Sequence, residues 1–264
     1  MTLVLFTILA SLVGIAVGSF INVVVFRTRV GQPITGKSKC RKCLEPIATI
    51  DLIPIVSYFA LKGRCRRCAA VIEWQYPVVE LAMGILFGLF FVRTALGLGL
   101  PDWVGAEELF VFFLRDVIMA SFLLIIFVYD FRYSYILDRF SIPAIIVALL
   151  FNVALGAPVF SLLVGGLVIG GFFAFQFLVS QGKWIGGGDI RMGMLMGFLL
   201  GIEQGLVALF LSYIFGAFVG IGLILAKKRK LDGTVPFGTF MAAGILVTLF
   251  AGEYLLDWYL GFFG

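Results

Sequence analysis

Long apolar runs make up most of the chain, and mainly short polar stretches separate them. The runs cover residues 3–26, 77–98, 109–129, 140–155, 159–180, 190–202, 205–226 and 237–260. A helix that spans a membrane needs about 20 mostly apolar residues. The pattern therefore predicts an all-α polytopic membrane protein with about eight transmembrane helices, of which the fourth and sixth are short. A half-span or re-entrant segment at 186–202 is the alternative, and it would give seven spans.

Composition excludes a water-soluble globule and several kinds of catalytic site. Of 264 residues, 62% are hydrophobic and 13% are charged, whereas soluble domains average about 45–50% apolar and about 25% charged residues. The chain has no histidine, which excludes Ser-His-Asp triads, Cys-His pairs and histidine-based metalloprotease motifs. Any chemistry must use carboxylates, cysteines, lysines, arginines, tyrosines or a bound cofactor.

The basic residues predict the orientation in the membrane. Of the 20 lysines and arginines, all but Arg93 and Arg115 fall in alternate loops, and short loops rich in these residues lie in the cytoplasm. Both termini are then outside the cytoplasm, and the first apolar run is a retained anchor because its positive flank follows it. This topology explains most of the net charge of +5, so we expect no nucleic-acid partner.

Four cysteines in the long polar stretch 27–76 have the spacing of a metal site. They form Cys40-x-x-Cys43 and Cys65-x-x-Cys68, and two such pairs complete a tetrahedral sulfur shell around zinc. Two disulfides are the alternative, but the predicted cytoplasmic location is reducing. We therefore expect a structural zinc with no open coordination position. The basic residues between the cysteines either reflect topology and thiolate neutralisation or bind anionic membrane lipid.

Two aspartates lie at the predicted cytoplasmic ends of apolar runs. Asp130 ends the third run, and Asp189 follows Gly186-Gly187-Gly188 at the start of the sixth. Ionisable groups at membrane depth are costly and are candidates for function. Two carboxylates that share a site can divide the roles of acid and base. Taken alone, Asp189 is explained as a helix N-cap.

Three other acidic residues are alternatives for the same role. Asp138 precedes a predicted helix, where a capping or dipole role is expected. Asp116 adjoins Arg115, which favours a local charge pair. Glu80 lies close to the predicted cytoplasmic face and has no obvious partner in the sequence.

Taken together, these residues resemble the type IV prepilin peptidases, membrane aspartic proteases with a Gly-x-Gly-Asp motif. The similar segments, in chain order, are residues 18–24, the double Cys-x-x-Cys loop with 53–58 and 62–65, residues 76–80, Asp130 with 137–138, residues 186–189 and residues 236–238. Three positions depart from the family pattern. Leu52 stands where asparagine is common, Arg191 where lysine is frequent, and Thr239 where proline commonly follows Phe-Gly.

The resemblance implies a function and its residues. Asp130 and Asp189 would be the catalytic pair, with Gly186 and Gly188 in the active-site loop. Substrates would be prepilins or the pseudopilins of type II secretion, cleaved after a basic leader at the cytoplasmic face of the bacterial inner membrane. The resemblance also implies methylation of the new amino terminus with S-adenosylmethionine, for which Gly63 and Glu80 are candidates.

These implications suggest a domain division and leave two alternatives. We expect a first transmembrane helix at 1–26, a cytoplasmic zinc-binding loop domain at 27–76 and a transmembrane peptidase core at 77–264. One alternative is a protease of the same type for another single-span substrate such as a preflagellin, against which the zinc motif argues. The other is a membrane carrier or scaffold, against which the position of the carboxylates at one membrane face argues.

Overall fold

A computed structural model describes residues 1–226 and 236–261, and in this part of the chain the protein is helical. The helices are α1 (Thr2–Arg29), α2 (Val56–Ala60), α3 (Gln75–Leu96), α4 (Leu109–Tyr133), α5 (Asp138–Ala154), α6 (Val159–Ser180), α7 (Gly187–Leu225) and α8 (Phe237–Leu260). Within these residues, β-structure is limited to two isolated bridges. The predicted all-α class is confirmed. The basic cluster 227–230, which entered the topology prediction, lies outside the described residues.

Six of the described helices are long and apolar enough to cross a membrane: α1, α3, α4, α6, α7 and α8. The remaining predicted run, 140–155, corresponds to α5, which has 17 residues. The runs 190–202 and 205–226 correspond to two helices that meet at Gly201, where φ is 76° and ψ is −175°, and that carry the joint label α7 here. Ser161 accepts a hydrogen bond from the Ile202 N–H at this break, at 3.2 Å. Each predicted apolar run therefore coincides with a helical stretch to within a few residues.

The described chain forms two compact units, Met1–Val92 and Arg93–Gly264. In the first unit, α1 and α3 pack closely because glycines remove side chains from their interface. A Cβ atom at Gly14 would lie 2.5 Å from the carbonyl oxygen of Met83, and one at Gly18 would lie 2.7 Å from Cα of Glu80. Residues 30–74, which contain both Cys-x-x-Cys pairs and are called the zinc-motif loop below, connect these two helices. The predicted domain division at 27–76 and 77–264 stays a prediction.

In the second unit, glycines also bring α6 and α7 together. A Cβ atom at Gly165 would lie 2.7 Å from the carbonyl carbon of Gly201, and one at Gly193 would lie 2.6 Å from the ring of Phe173. Small residues at these positions let the two helices approach closely. This packing holds the first half of α7 against α6. Asp189 lies in the first turn of that half.

A buried polar network joins α4, α5 and α7. Asp116 is fully buried and accepts hydrogen bonds from Arg93 at 3.0 Å and from Arg115 at 2.7 Å. Arg115 also donates to Asn152, which donates in turn to the carbonyl groups of residues 198 and 199. The interpretation of Asp116 as the charge partner of Arg115 is confirmed. Such pairing is required because an unpaired charge in an apolar interior is strongly destabilising.

Candidate active site

Asp130 lies in the last turn of α4, and its side chain is held by the first turn of α8. The residue is 4% exposed. Its Oδ2 atom accepts a hydrogen bond from the backbone N–H of Thr239 at 2.7 Å and another from the Thr239 hydroxyl at 3.0 Å. Helix α4 ends directly after this turn, at Ser134, which has left-handed backbone angles and donates its N–H to the Asp130 carbonyl.

Asp189 lies in the first turn of α7 and is 8% exposed. Its Oδ2 atom accepts the N–H of Gly186 at 2.9 Å. Gly186 is the N-cap residue and Asp189 is the third residue of the helix, so the side chain contributes to capping, but the interpretation of Asp189 as the N-cap residue itself is wrong. The helix N-terminus also favours a negative charge here. Capping does not prevent a further role, because each carboxylate has two oxygens and several acceptor positions.

The two aspartates, 59 positions apart, belong to one site. The start of α7, which carries Asp189, and the start of α8, which contacts Asp130, both approach Ile136. Ile136 lies between the flanking glycines: a Cβ atom at Gly188 would lie 2.7 Å from Cβ of Ile136, and one at Gly238 would lie 2.5 Å from its Cδ1. The end of α4 and the starts of α7 and α8 therefore meet here, and glycine is required because a side chain would collide.

The rim of this site carries an ion pair. Arg191, two residues after Asp189, pairs with Asp138 at the start of α5. Asp138 is thus the partner of a cation and the first residue of its helix, which agrees with the electrostatic role expected for it. The pair links α5 to the first turn of α7.

Sequence reasoning did not identify two of the residues that shape the site. Thr239 stood out only as a departure from a family pattern, and Ile136 did not stand out at all. Both contact a part of the site that is distant in the chain: the hydrogen bonds of Thr239 reach a residue 109 positions away. The motif at 236–238 directly precedes Thr239, and the motif at 137–138 directly follows Ile136.

The four cysteines form a second candidate site. Their sulfur atoms all lie within 4.8 Å of one another, and the Sγ atoms of Cys40 and Cys68 are 3.8 Å apart. A tetrahedral zinc with bonds of about 2.3 Å places its sulfur ligands about 3.8 Å apart. The four thiols are therefore positioned to bind a metal ion, and their number and chemistry fit zinc.

The two cysteine pairs share one backbone pattern. In each, the N–H of the first cysteine donates to the carbonyl five residues later, at 2.9 Å for Cys40 and 2.8 Å for Cys65. The residue after the second cysteine, Leu44 or Ala69, has a positive φ of 61° or 55° and donates its N–H back to the first cysteine. Backbone N–H groups of residues 43 and 42 lower the pKa of Cys40 to about 6, which favours the thiolate form that metals bind.

Gly63 and Glu80 have structural roles in this first unit. Gly63 has a positive φ of 66°, and a Cβ atom there would lie 3.0 Å from the hydroxyl of Tyr58. Glu80 is 5% exposed and accepts the N–H of Ile55 at 2.7 Å, so it has the partner that the sequence did not reveal. Their suggested part in methyl transfer stays a prediction.

Comparison with known proteins identifies the family. Residues 12–94 match the model of the bacterial peptidase A24 N-terminal domain, and residues 117–221 match that of the type IV leader peptidase family. The chain belongs to this peptidase family, as the resemblance implied. No solved structure matches the chain.

Three curated relatives carry the name prepilin leader peptidase/N-methyltransferase. The Aeromonas hydrophila protein is 30% identical over 283 residues, covering 96% of this chain and 93% of the relative. The Bacillus subtilis (strain 168) protein is 28% identical over 256 residues, covering 94% and 95%. The Neisseria gonorrhoeae protein is 30% identical over 253 residues, covering 84% and 83%.

Membership and fold together define the class of enzyme. The protein is an enzyme of a peptidase family whose relatives are bifunctional by name. The six apolar helices and the family support a multi-pass protein of the inner membrane.

Proposed function

We propose that this protein is an aspartic endopeptidase that removes the leader of type IV prepilins or related pseudopilins at the cytoplasmic membrane face. The observation that supports this most is the burial of Asp130 and Asp189 in one site at the ends of apolar helices. The names of the relatives supply the substrate class. A site at the membrane surface suits a substrate with an apolar helix in the bilayer and a charged leader outside it.

The reaction uses the two carboxylates in different protonation states. The ionised aspartate takes a proton from a water molecule, whose oxygen attacks the scissile carbonyl carbon. The protonated aspartate donates to the developing oxyanion and stabilises it. The leaving amine then takes a proton from the pair as the peptide bond breaks. Because Gly186 and Gly188 have no side chains, an extended peptide can approach Asp189 closely.

The basic loops support the proposed orientation. The last turn of α1 and the zinc-motif loop that follows it contain ten lysines and arginines between residues 27 and 67, and such segments remain in the cytoplasm. The active-site aspartates then lie on the cytoplasmic side, and both termini on the other. The basic loop also suits binding to anionic membrane lipid. Glu45 of the same loop is exposed and is an acidic group that can pair with a basic leader.

Zinc and S-adenosylmethionine are the proposed cofactors. Zinc, held by Cys40, Cys43, Cys65 and Cys68, would stabilise the loop and activate no water, since four protein ligands leave no open position. S-adenosylmethionine would supply the methyl group for the new amino terminus, a second activity suggested by the names of the relatives.

Co-expression with a prepilin tests the catalytic pair. Asp130→Asn and Asp189→Asn should each leave the precursor at full length, because an amide cannot serve as the base or share the proton. Asp257→Asn, an exposed aspartate of α8, is the matched control and should process the precursor normally. Wild-type processing by either active-site variant would refute the proposal, and a panel that includes preflagellins would distinguish the substrate classes.

A further inference from the structure

Thr239 makes two hydrogen bonds to one oxygen of Asp130. Its backbone N–H lies 2.7 Å and its hydroxyl 3.0 Å from Oδ2, and the residue is 4% exposed. Thr239 occupies the first turn of α8, where a backbone N–H has no carbonyl partner within the helix. The N–H is therefore available to bind a group outside its own helix.

The neighbouring glycine makes this approach feasible. A Cβ atom at Gly238 would lie 3.0 Å from Oδ2 of Asp130 and 2.5 Å from Cδ1 of Ile136. A larger residue would press against Ile136 and against the carboxylate oxygen itself. The local sequence thus places both donors of Thr239 against Asp130.

Both carboxylates lie at a helix N-terminus, that of α8 for Asp130 and that of α7 for Asp189, which favours the charged form of each. The number of hydrogen bonds that each receives is what distinguishes them. A backbone N–H can only donate, so Oδ2 of Asp130 acts as an acceptor and is not the protonated oxygen. Hydrogen bonds donated to a carboxylate favour its charged form. Asp130 receives two from Thr239, while Asp189 receives one from Gly186. The donors also fix the orientation of the Asp130 side chain, and both act on Oδ2, so Oδ1 takes no part in these two bonds.

We infer that Thr239 is a positioning residue that holds Asp130 as the ionised base of the reaction, which assigns the role of acid to Asp189. This inference rests on the proposed function, because it assumes that the two aspartates are the catalytic pair. Thr239 acts through Asp130 and does not contact the reacting peptide. Its loss should therefore reduce turnover and leave substrate binding nearly unchanged.

Steady-state cleavage of a prepilin by purified protein tests the inference. Thr239→Val removes the hydroxyl at nearly constant volume and keeps the backbone N–H. A hydrogen bond to a charged group is worth about tenfold or more, so kcat should fall about tenfold while KM changes less than about twofold. Thr239→Ser restores the hydroxyl and should return kcat to within about threefold of the wild-type value.

Thr248→Val is the matched control. Thr248 lies on the same helix and is 1% exposed, and its hydroxyl has no hydrogen-bond partner among the described residues. The same substitution there should leave kcat unchanged. If Thr239→Val unfolds at a lower temperature than the control, Thr239→Ala takes its place, with the same expected fall in kcat.

The results separate this inference from the proposed function. Wild-type kcat in the valine variant, an effect confined to KM, or no recovery with serine would overturn the role of Thr239. If Asp130→Asn is inactive while Thr239→Val retains full activity, only this inference fails. If Asp130→Asn is itself active, the proposed function fails as well.

Discussion

Replacing Gly165 by alanine should destabilise the membrane unit that carries both aspartates. The added Cβ would lie 2.7, 2.8 and 2.9 Å from three backbone atoms of Gly201 and Ile202 in α7. Non-bonded carbon atoms normally remain about 3.5 Å or more apart, so α6 and α7 would have to separate locally by most of an ångström. Backbone atoms cannot move aside as the end of a flexible side chain can.

The expected cost follows from this geometry. Overpacking of a tight interior lowers the free energy of unfolding by about 1–3 kcal/mol. The higher helix propensity of alanine raises it by about 1 kcal/mol. Gly171→Ala is the matched control on the same helix, since a Cβ atom there would meet nothing within 4 Å. Gly165→Ala should therefore unfold several degrees below the control in a detergent thermal scan at one fixed rate. Equal unfolding temperatures would refute the close packing of α6 on α7.

Two further predictions concern the first unit. Cys40→Ser combined with Cys65→Ser should abolish stoichiometric zinc in purified protein while the helices remain inserted, because two ligands cannot complete the tetrahedral shell; unchanged zinc content would contradict the tetrathiolate site. Glu80→Ala should lower stability by about 1–3 kcal/mol, because it leaves the Ile55 N–H without its acceptor. Glu80→Gln retains an acceptor oxygen and should recover much of the loss in the same thermal scan, whereas equal losses would show that this hydrogen bond is unimportant.

The helices could be predicted from the sequence because a lipid environment leaves little choice. Every backbone polar group must be satisfied within the segment, so a long apolar run in a polytopic chain is a helix. The two runs that make up α7 were predicted as separate helices, and the structure divides them at Gly201, whose backbone angles are not helical.

In the candidate sites, residues marked by local spacing could be predicted, and residues whose partners lie on another helix could not. The cysteine cluster followed from spacing, since a two-residue gap brings two thiols together within one turn of chain. Asp130 and Asp189 stood out because charges are rare in apolar runs. Thr239 could not be assigned a role, because its partner lies on another helix and only the packing of α8 against α4 brings them together.

Mass spectrometry of a prepilin incubated with the purified protein in detergent tests the catalytic pair most directly. The wild-type protein should release the leader at a single peptide bond, and added S-adenosylmethionine should increase the mass of the mature product by one methyl group. Asp130→Asn and Asp189→Asn should yield only the uncut precursor under the same conditions. Product of the correct mass from either variant would contradict catalysis by two aspartates at the membrane surface.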